Sequence, residues 1–173
     1  ARGTWSADRR DLPFALRLRV AEPRHRRDER ADLEAMLIHF REGVVRYLPD
    51  DDYSGHFDLG MAFRDLGLTD DAIAEFQKAA RGAGQRLPAY EALGGCFVER
   101  GQFAMALAAL RRALTDPDIT SPGGIGVLYT LGISCEALQH NAEAIRYYSQ
   151  VSAIDPHFRD VASRLTTLTL PTP

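Results

Sequence analysis

The sequence predicts an all-α fold, an α-solenoid of stacked antiparallel helix pairs, and three observations lead to this prediction. The dipeptide Leu-Gly recurs at residues 59, 93 and 131, at intervals of 34 and 38 residues. An alanine follows each of these leucines by thirteen positions, and a large residue follows that alanine by four more. A period near 34 residues with such marks is typical of helix–turn–helix repeats. The alanines are Ala72, Ala106 and Ala144, and the large residues are Phe76, Leu110 and Tyr148.

Composition and charge exclude several classes of function. The chain has 173 residues, enough for one domain with a substantial core. Its net charge of −3 is unevenly spread, with +4 in residues 1–30 and −7 in residues 31–173. A mildly acidic repeat region lacks the basic face that nucleic acid requires, and no apolar stretch reaches the roughly 20 residues that span a bilayer. We therefore expect neither nucleic-acid binding nor direct membrane insertion.

Residues 1–49 precede the repeats. Residues 1–30 are rich in arginine, and residues 16–20 alternate between apolar and basic with the period of a strand. We predict a basic N-terminal arm, either flexible or extended along a neighbouring surface. Apolar residues then recur every three or four positions over 31–49, which predicts a helix that ends at Pro49 and caps the stack. The aspartates of Asp50–Asp52 supply side chains to cap the next helix.

Each predicted repeat consists of two helices and a short turn. The first helix carries Leu-Gly, and the second carries the alanine and the large residue. The turn positions hold Gly67, Gly101 and Gln139, and we expect Thr69 to cap the second helix of the first repeat. Within a repeat domain over 50–168 the repeats cover about 53–86, 87–120 and 125–158, followed by a C-terminal capping helix over 157–168 and a tail over 169–173.

The small residues have a physical role in this scheme. Two antiparallel helices cannot enclose a core alone, so each pair buries its apolar face against the next. The glycines of Leu-Gly and the alanines let the paired helices approach closely, and large residues fill the space between pairs. These large residues are Phe63, Phe97, Phe76, Leu110 and Tyr148.

The marks L-G-x-x-aromatic and A-x-x-x-F over residues 53–158 resemble those of the tetratricopeptide repeat (TPR) family, of bacterial type, with three repeats and flanking cap helices. The family's usual tryptophan is replaced by His56, Tyr90 and Leu128, and its closing proline appears only as Pro156. The resemblance implies a TPR superhelix in which the first helix of each pair lines a concave groove.

No residue pattern indicates catalysis, a metal site or a cofactor. The histidines and cysteines lack metal-ligand spacing, and His56 and Asp58 are two positions apart on a helix, where side chains diverge. The glycines of residues 123–126 lack the Lys-Ser/Thr of a phosphate-binding loop, and Asp116 with Asp118 is typical of a turn. We therefore expect no enzymatic activity, no metal and no cofactor.

The two cysteines bear on the cellular location. Cys96 and Cys135 lie inside helical patterns, and we expect buried free thiols rather than a disulfide. This favours a reducing compartment, and we expect a cytoplasmic protein. No signal-peptide pattern is present, but the chain begins with Ala rather than Met, so an upstream signal or anchor stays open.

By position, the resemblance implies that one stripe of each first helix faces the groove. We predict a groove with an apolar floor and acidic edges, which suits an amphipathic or basic peptide; the alternative is that its apolar members pack against the capping helices. The Lys, Arg and Asn clamp with which some TPR domains hold acidic chaperone tails is absent, because those positions hold Phe57, Met61, Glu91 and Gly95. The predicted groove residues are Phe57, Met61, Arg64, Glu91, Val98, Tyr129, Ile133 and Glu136.

The sequence therefore predicts a protein–protein interaction module, a scaffold or adaptor that binds a peptide or helix of a partner protein. Two alternatives stay open. One is a regulatory TPR domain of a larger multidomain protein. The other is a self-associating subunit of a large assembly, a homo-oligomer whose basic arm docks on the acidic stack of a neighbour. Sedimentation at low and high salt separates this last alternative from the others, because exposed ionic contacts weaken with ionic strength.

Overall fold

The computed structural model of the protein describes His39, Gly43 and residues 48–170. The chain divides into two units, residues 1–48 and residues 49–173, and nearly all of the described residues lie in the second. The predicted basic arm, nearly all of the N-terminal capping helix and the last three residues lie outside the described residues. Within that capping helix, His39 and Gly43 are helical.

The described residues contain seven α-helices and no β-strand, which confirms the all-α solenoid. Helices α1 and α2, α3 and α4, and α5 and α6 pack as consecutive pairs, and α7 packs on α6. Contacts between α2 and α3, between α4 and α5, and between α3 and α5 join the pairs into one stack. The helices are α1 Tyr53–Asp65, α2 Thr69–Ala79, α3 Arg86–Glu99, α4 Phe103–Leu110, α5 Ile125–Ala137, α6 Asn141–Ile154 and α7 Val161–Thr169, with single 3₁₀ turns at Ala83–Gln85, Arg111–Thr115 and Pro122–Gly124.

A glycine and a large side chain interlock inside every pair. A Cβ atom at Gly60 would lie 2.6 Å from the ring of Phe76. The same contact recurs at Gly94, 2.8 Å from Leu110, and at Gly132, 2.4 Å from the ring of Tyr148. Real Cβ atoms do not approach so closely, so only glycine allows this spacing, and the prediction for the three glycines is confirmed. Phe76, Leu110 and Tyr148 thus pack against their own pair's glycine, where we expected them to fill the space between pairs.

The turns within the three pairs share one backbone geometry. Gly67, Gly101 and Gln139 have positive φ angles of 76°, 68° and 62°. In each turn the next residue donates its N–H to the carbonyl five positions earlier at 2.8 Å, a bond that closes a helix in the Schellman arrangement. Gln139 adopts the left-handed conformation although it is not glycine, because the same hydrogen bonds hold it there.

One predicted cap is confirmed and another is wrong. The side chain of Asp52 accepts a hydrogen bond from the N–H of Gly55 at 2.9 Å, so Asp52, the last of the three aspartates before α1, caps that helix. Thr69 does not cap α2, because it is the first helical residue and Leu68 occupies the cap position without a side-chain bond. The cap position after the tight turn at Gly67 thus holds a leucine, whose side chain has no hydrogen-bond acceptor.

A buried polar pair joins α1 to α2. The Nδ1 of His56 lies 2.6 Å from Oε2 of Glu75, and both residues are buried. Lys78 donates to the other carboxylate oxygen of Glu75 at 2.9 Å. His56 therefore pairs across the helix pair, and not with Asp58. The two cysteines are free and buried, as predicted.

Candidate functional site

The first helices of consecutive pairs line an open cleft of about 310 Å³, called here the first-helix cleft. Helices α1 and α3 supply most of its surface, α5 supplies one residue, and the turn between α6 and α7 supplies one more. Residues three and four apart on a helix share a face, so each helix contributes a stripe of side chains. The lining residues are Phe57, Met61, Arg64, Pro88, Glu91, Ala92, Gly95, Glu99, Thr130 and Arg159.

The apolar part of the first-helix cleft comes mainly from α1. Phe57 and Met61 are four positions apart, and both are partly exposed. The ring of Phe57 also contacts the buried ring of Phe76, with centroids 5.8 Å apart. Phe57 is therefore anchored to the core on one side and open to the cleft on the other. Met61 offers a flexible, polarisable surface of the kind that adapts to different partners.

The charged part of the cleft is built around one ion pair between α3 and the turn before α7. Arg159 lies 3.7 Å from Oε1 of Glu91. The guanidinium of Arg159 also stacks over the ring of Tyr129, 5.0 Å from its centroid, and over that of Phe158 at 5.2 Å. A Cβ atom at Gly126 would lie 2.0 Å from the carboxylate carbon of Glu91, so this glycine makes room for Glu91 against α5. Arg159 itself has a positive φ of 48°.

A hydrogen-bonded network holds α7 at the C-terminal end of the stack. The hydroxyl of Tyr129 donates to Asp160, and that of Tyr148 donates to Oε2 of Glu136 at 2.7 Å. Arg164 donates to Glu136 at 2.7 Å and to Asp160 at 2.9 Å. Burial raises the pKa of the Tyr148 hydroxyl, and its bond to Glu136 raises it further. The hydrogen bond from Tyr129 lowers the pKa of Asp160, as does Arg164.

The structure brings four of the eight predicted groove residues together and places the other four elsewhere. Phe57, Met61, Arg64 and Glu91 line the first-helix cleft. Tyr129 is buried, with 4% of its surface exposed, and it packs edge-on against Phe158 with ring centroids 5.5 Å apart. Val98, Ile133 and Glu136 do not line the cleft, and Glu136 belongs to the network that holds α7.

Arg159 also lines the first-helix cleft, and it was not predicted from the sequence. This residue follows Glu91 by 68 positions and lies in a turn, where helical periodicity gives no information on direction. We predicted a helix from residue 157, whereas α7 begins at Val161, because the chain turns at Arg159 through its positive φ.

In the described part of the chain, no cluster of three or more His, Cys, Asp or Glu side chains has the arrangement to hold a metal ion. Asp116 is buried, accepts the N–H of Asp118 at 3.0 Å and pairs with Arg86 at 3.2 Å, so it stabilises a turn. Between residues 48 and 170 no helix is long and apolar enough to cross a membrane.

Comparisons with known proteins agree with this architecture. Residues 53–81 match the family model of the tetratricopeptide repeat, whereas no curated protein matches the chain. Among solved structures the chain is similar to the first TPR of Spaghetti (RPAP3) bound to HSP90 peptide SRMEEVD, at 16% identity over 71% of this chain and 94% of that one, with a TM-score of 0.61.

Two further solved structures have the same fold. MamA is 20% identical over 83% of this chain and 80% of its own, with a TM-score of 0.60. YrrB, described as a TPR protein with an unusual peptide-binding site, is 18% identical over 80% of this chain and 72% of its own, with a TM-score of 0.57. At these identities the likeness concerns the fold. The matched repeat at 53–81 and the stack of interlocked helix pairs show that this chain has the fold of tetratricopeptide repeat proteins.

Proposed function

We propose that the protein is an interaction module that binds a peptide or helical segment of a partner protein in the first-helix cleft. The observation that carries this proposal is the cleft itself. It opens along two consecutive first helices, and it combines partly exposed Phe57 and Met61 with charged groups. Apolar anchors inside a polar rim are the usual composition of a peptide-binding groove.

The relatives support the same kind of function. The RPAP3 repeat domain was solved with the peptide SRMEEVD, and YrrB has a peptide-binding site. The positions that a cationic clamp would use are Phe57, Met61, Glu91 and Gly95 here, and all four line the cleft. We therefore propose a partner segment that is anchored by apolar side chains rather than by a terminal carboxylate.

The charges in the cleft refine the class of partner. Glu91 is already paired with Arg159, and Arg64 and Glu99 add one charge of each sign. The cleft is thus close to electrically balanced, which favours an amphipathic segment over a strongly basic one. Such a module needs neither catalysis nor a cofactor, and its free, buried thiols suit a reducing compartment such as the cytoplasm.

Affinity capture from the source organism with the full chain as bait, followed by mass spectrometry, tests the proposal. The partner obtained is then titrated against the double variant Met61→Ala/Arg64→Ala. We expect binding weaker by about 2 kcal/mol, the scale of hot-spot residues, because the variant removes one anchor and the adjacent cation. The matched control is Gln150→Ala on the exposed face of α6, which should bind as the unmodified chain does.

Thermal melts of both variants separate loss of the cleft from loss of the fold. Met61 and Arg64 are partly exposed, so the double variant should melt close to the unmodified chain. A partner that binds the folded double variant with unchanged affinity would rule out the first-helix cleft as the binding site.

A further inference from the structure

A second surface, on the second helix of the middle pair, has a composition that the fold alone does not require. Helix α4, Phe103–Leu110, has the sequence FAMALAAL and carries no polar side chain along its length. Its outer face is nevertheless exposed, with Met105 at 56% and both Ala104 and Ala108 open to solvent. A helix on the surface of a soluble protein normally presents polar side chains on its outer face.

The internal repeats provide a control for this observation. The position immediately before the repeat alanine is Asp71 in the first pair and Glu143 in the third. The equivalent residue of the middle pair is Met105. The same structural position is therefore acidic in both neighbouring repeats and apolar only here, although all three second helices follow the same turn geometry.

Met105 lies at the edge of a cleft of about 410 Å³ between α2, α3 and α4, called here the α4 cleft. Its floor includes Leu93 and Phe97, which are buried, and the partly exposed ring of Tyr90. Arg81 and Arg112 contribute cations, and no aspartate or glutamate lines the cleft. The α4 cleft and the first-helix cleft share no lining residue.

The two arginines of the α4 cleft are also free to bind a carboxylate. Nine arginines occur between residues 48 and 170, and five of them form ion pairs with carboxylates of the stack. Arg81 and Arg112 are among the four that do not, within the described residues. This contrasts with Arg111, next in the chain to Arg112, which lies 3.2 Å from Glu143. A cleft with an apolar floor, bordered by two arginines that form no ion pair within the described residues, is complementary to an acidic, amphipathic ligand.

We propose that the α4 cleft is a second docking surface, which binds an acidic segment of another protein. In this arrangement the segment packs one bulky apolar side chain against Met105 and Tyr90. Its carboxylates, on either side of that anchor, pair with Arg81 and Arg112. The proposal is independent of the first-helix cleft, and together the two surfaces would let the module hold two partners at once.

A displayed library of random peptides is the probe for this surface. The library is first depleted on the full chain carrying Met105→Glu, the residue class of the neighbouring repeats, and then selected on the unmodified chain. We expect the enriched peptides to share one large apolar residue with aspartate or glutamate on both sides. A synthetic peptide of that consensus should bind at least about 10-fold more weakly to Arg81→Glu/Arg112→Glu.

Two controls make the result specific. Met61→Ala/Arg64→Ala, in the other cleft, should leave the affinity of the consensus peptide unchanged. A peptide with lysine in place of each acid should bind the Arg81→Glu/Arg112→Glu chain better than the unmodified chain, because the reversed charges are complementary again. If the double reversal lowers the melting temperature, Arg81→Gln/Arg112→Gln replaces it, since this change removes the cations without adding repulsion.

Several outcomes would overturn the proposal. These are that no peptide survives depletion, that the survivors lack acidic residues, or that their affinity is the same for both arginine variants and the unmodified chain. Sedimentation of the full chain without peptide tests the other possible occupant of the α4 cleft, a second copy of the chain. A dimer that dissociates in Arg81→Glu/Arg112→Glu would mean that a second copy of the chain, rather than another protein, fills the α4 cleft.

Discussion

The contact between His56 and Glu75 places two polar side chains in the interior of the first helix pair, where an unpaired polar group is costly. Both side chains are buried, and within the described residues the Nε2 of His56 has no hydrogen-bond partner. A buried carboxylate is costly unless its partners are retained. His56 and Lys78 provide those partners, one from each helix of the pair. Loss of a polar side chain from one helix would therefore leave a buried polar group on the other helix without its partner, which the loss of an apolar contact does not do.

A double-mutant cycle measures this dependence. Glu75→Met should lower the free energy of unfolding by about 3 kcal/mol, because it leaves the imidazole without a partner. The double variant His56→Phe/Glu75→Met should lose less than the two single variants added together, with a coupling of at least about 1 kcal/mol. Urea unfolding followed by circular dichroism gives these values.

Lys78→Met is the matched control for the cycle. It removes only the partly exposed member of the cluster, and should cost less than about 1 kcal/mol. Strictly additive single and double variants would contradict the interpretation that His56 and Glu75 act as a pair.

Cys135 gives the stability a pH dependence in the alkaline range. Burial and the carboxylate of Glu143, 3.7 Å from its Sγ, raise the pKa of the thiol from 9.0 to about 11. The unfolded chain ionises this thiol near pH 9, whereas the folded chain keeps it protonated. The resulting stability is complete below pH 9, falls as the pH rises from 9 to about 11, and is lost above that range.

We expect Cys135→Ala to flatten the fall in the free energy of unfolding between pH 9 and pH 11, as measured by urea unfolding at a series of pH values. The cavity left by the missing sulfur shifts stability equally at every pH, so the slope is the informative quantity. Iodoacetamide provides an independent measurement, and the folded chain should be alkylated far more slowly at pH 8 than the urea-unfolded chain. Parallel pH profiles for the variant and the unmodified chain would be incompatible with a raised thiol pKa.

At the scale of the elements, the three turns show whether glycine is required at the position with a positive φ. Glycine is the expected residue where φ is positive, and two of the three turns have it. The third has Gln139 in the same conformation with the same pair of backbone hydrogen bonds. The hydrogen bonds and the packing of the helices on either side thus impose the positive φ. The residue type determines only how much free energy this conformation costs.

Gln139→Gly should stabilise the protein. Glycine adopts the left-handed conformation without the strain of about 1–2 kcal/mol that a residue with a Cβ atom has there. The greater conformational freedom of glycine in the unfolded chain opposes this gain by about 0.5–1 kcal/mol. We expect a net gain of about 0.5–1 kcal/mol in urea unfolding. Gly101→Ala, at the equivalent turn, is the reciprocal control and should destabilise by a similar amount. A less stable Gln139→Gly chain would show that the glutamine side chain contributes more than its backbone strain costs.

The packing of the helices and turns also explains which residues of the candidate site could not be predicted from the sequence. Phe57, Met61, Arg64 and Glu91 were assigned to one surface through the resemblance to TPR proteins, in which one stripe of each first helix faces the groove. The 3.6-residue period places Phe57, Met61 and Arg64 on one face of α1. Tyr129 satisfies the same period, but α7 and the turn before it cover its ring, so it is buried. The period describes one helix alone and does not include the elements that pack onto it.

At the scale of the whole molecule, the fold was predictable because its marks repeat. Leu-Gly and the alanine thirteen positions later identify three helix pairs, and the contact of the glycine with the large residue beyond that alanine recurs in each pair. Contacts that occur once were not predictable in this way. The pairing of His56 with Glu75 and of Glu91 with Arg159 joins residues 19 and 68 positions apart, with no internal copy to reveal them.

The interlock of glycine with a large side chain has a consequence for recognition. Because Gly60, Gly94 and Gly132 each seat one large side chain, the distance between the helices of every pair is set by contact and cannot shrink. The two proposed binding surfaces are therefore preorganised, and the entropic cost of ordering on association falls on the incoming segment. A partner segment that is already helical or otherwise rigid would therefore bind with higher affinity than a flexible segment that makes the same contacts. Changes that make a flexible segment rigid would raise its affinity.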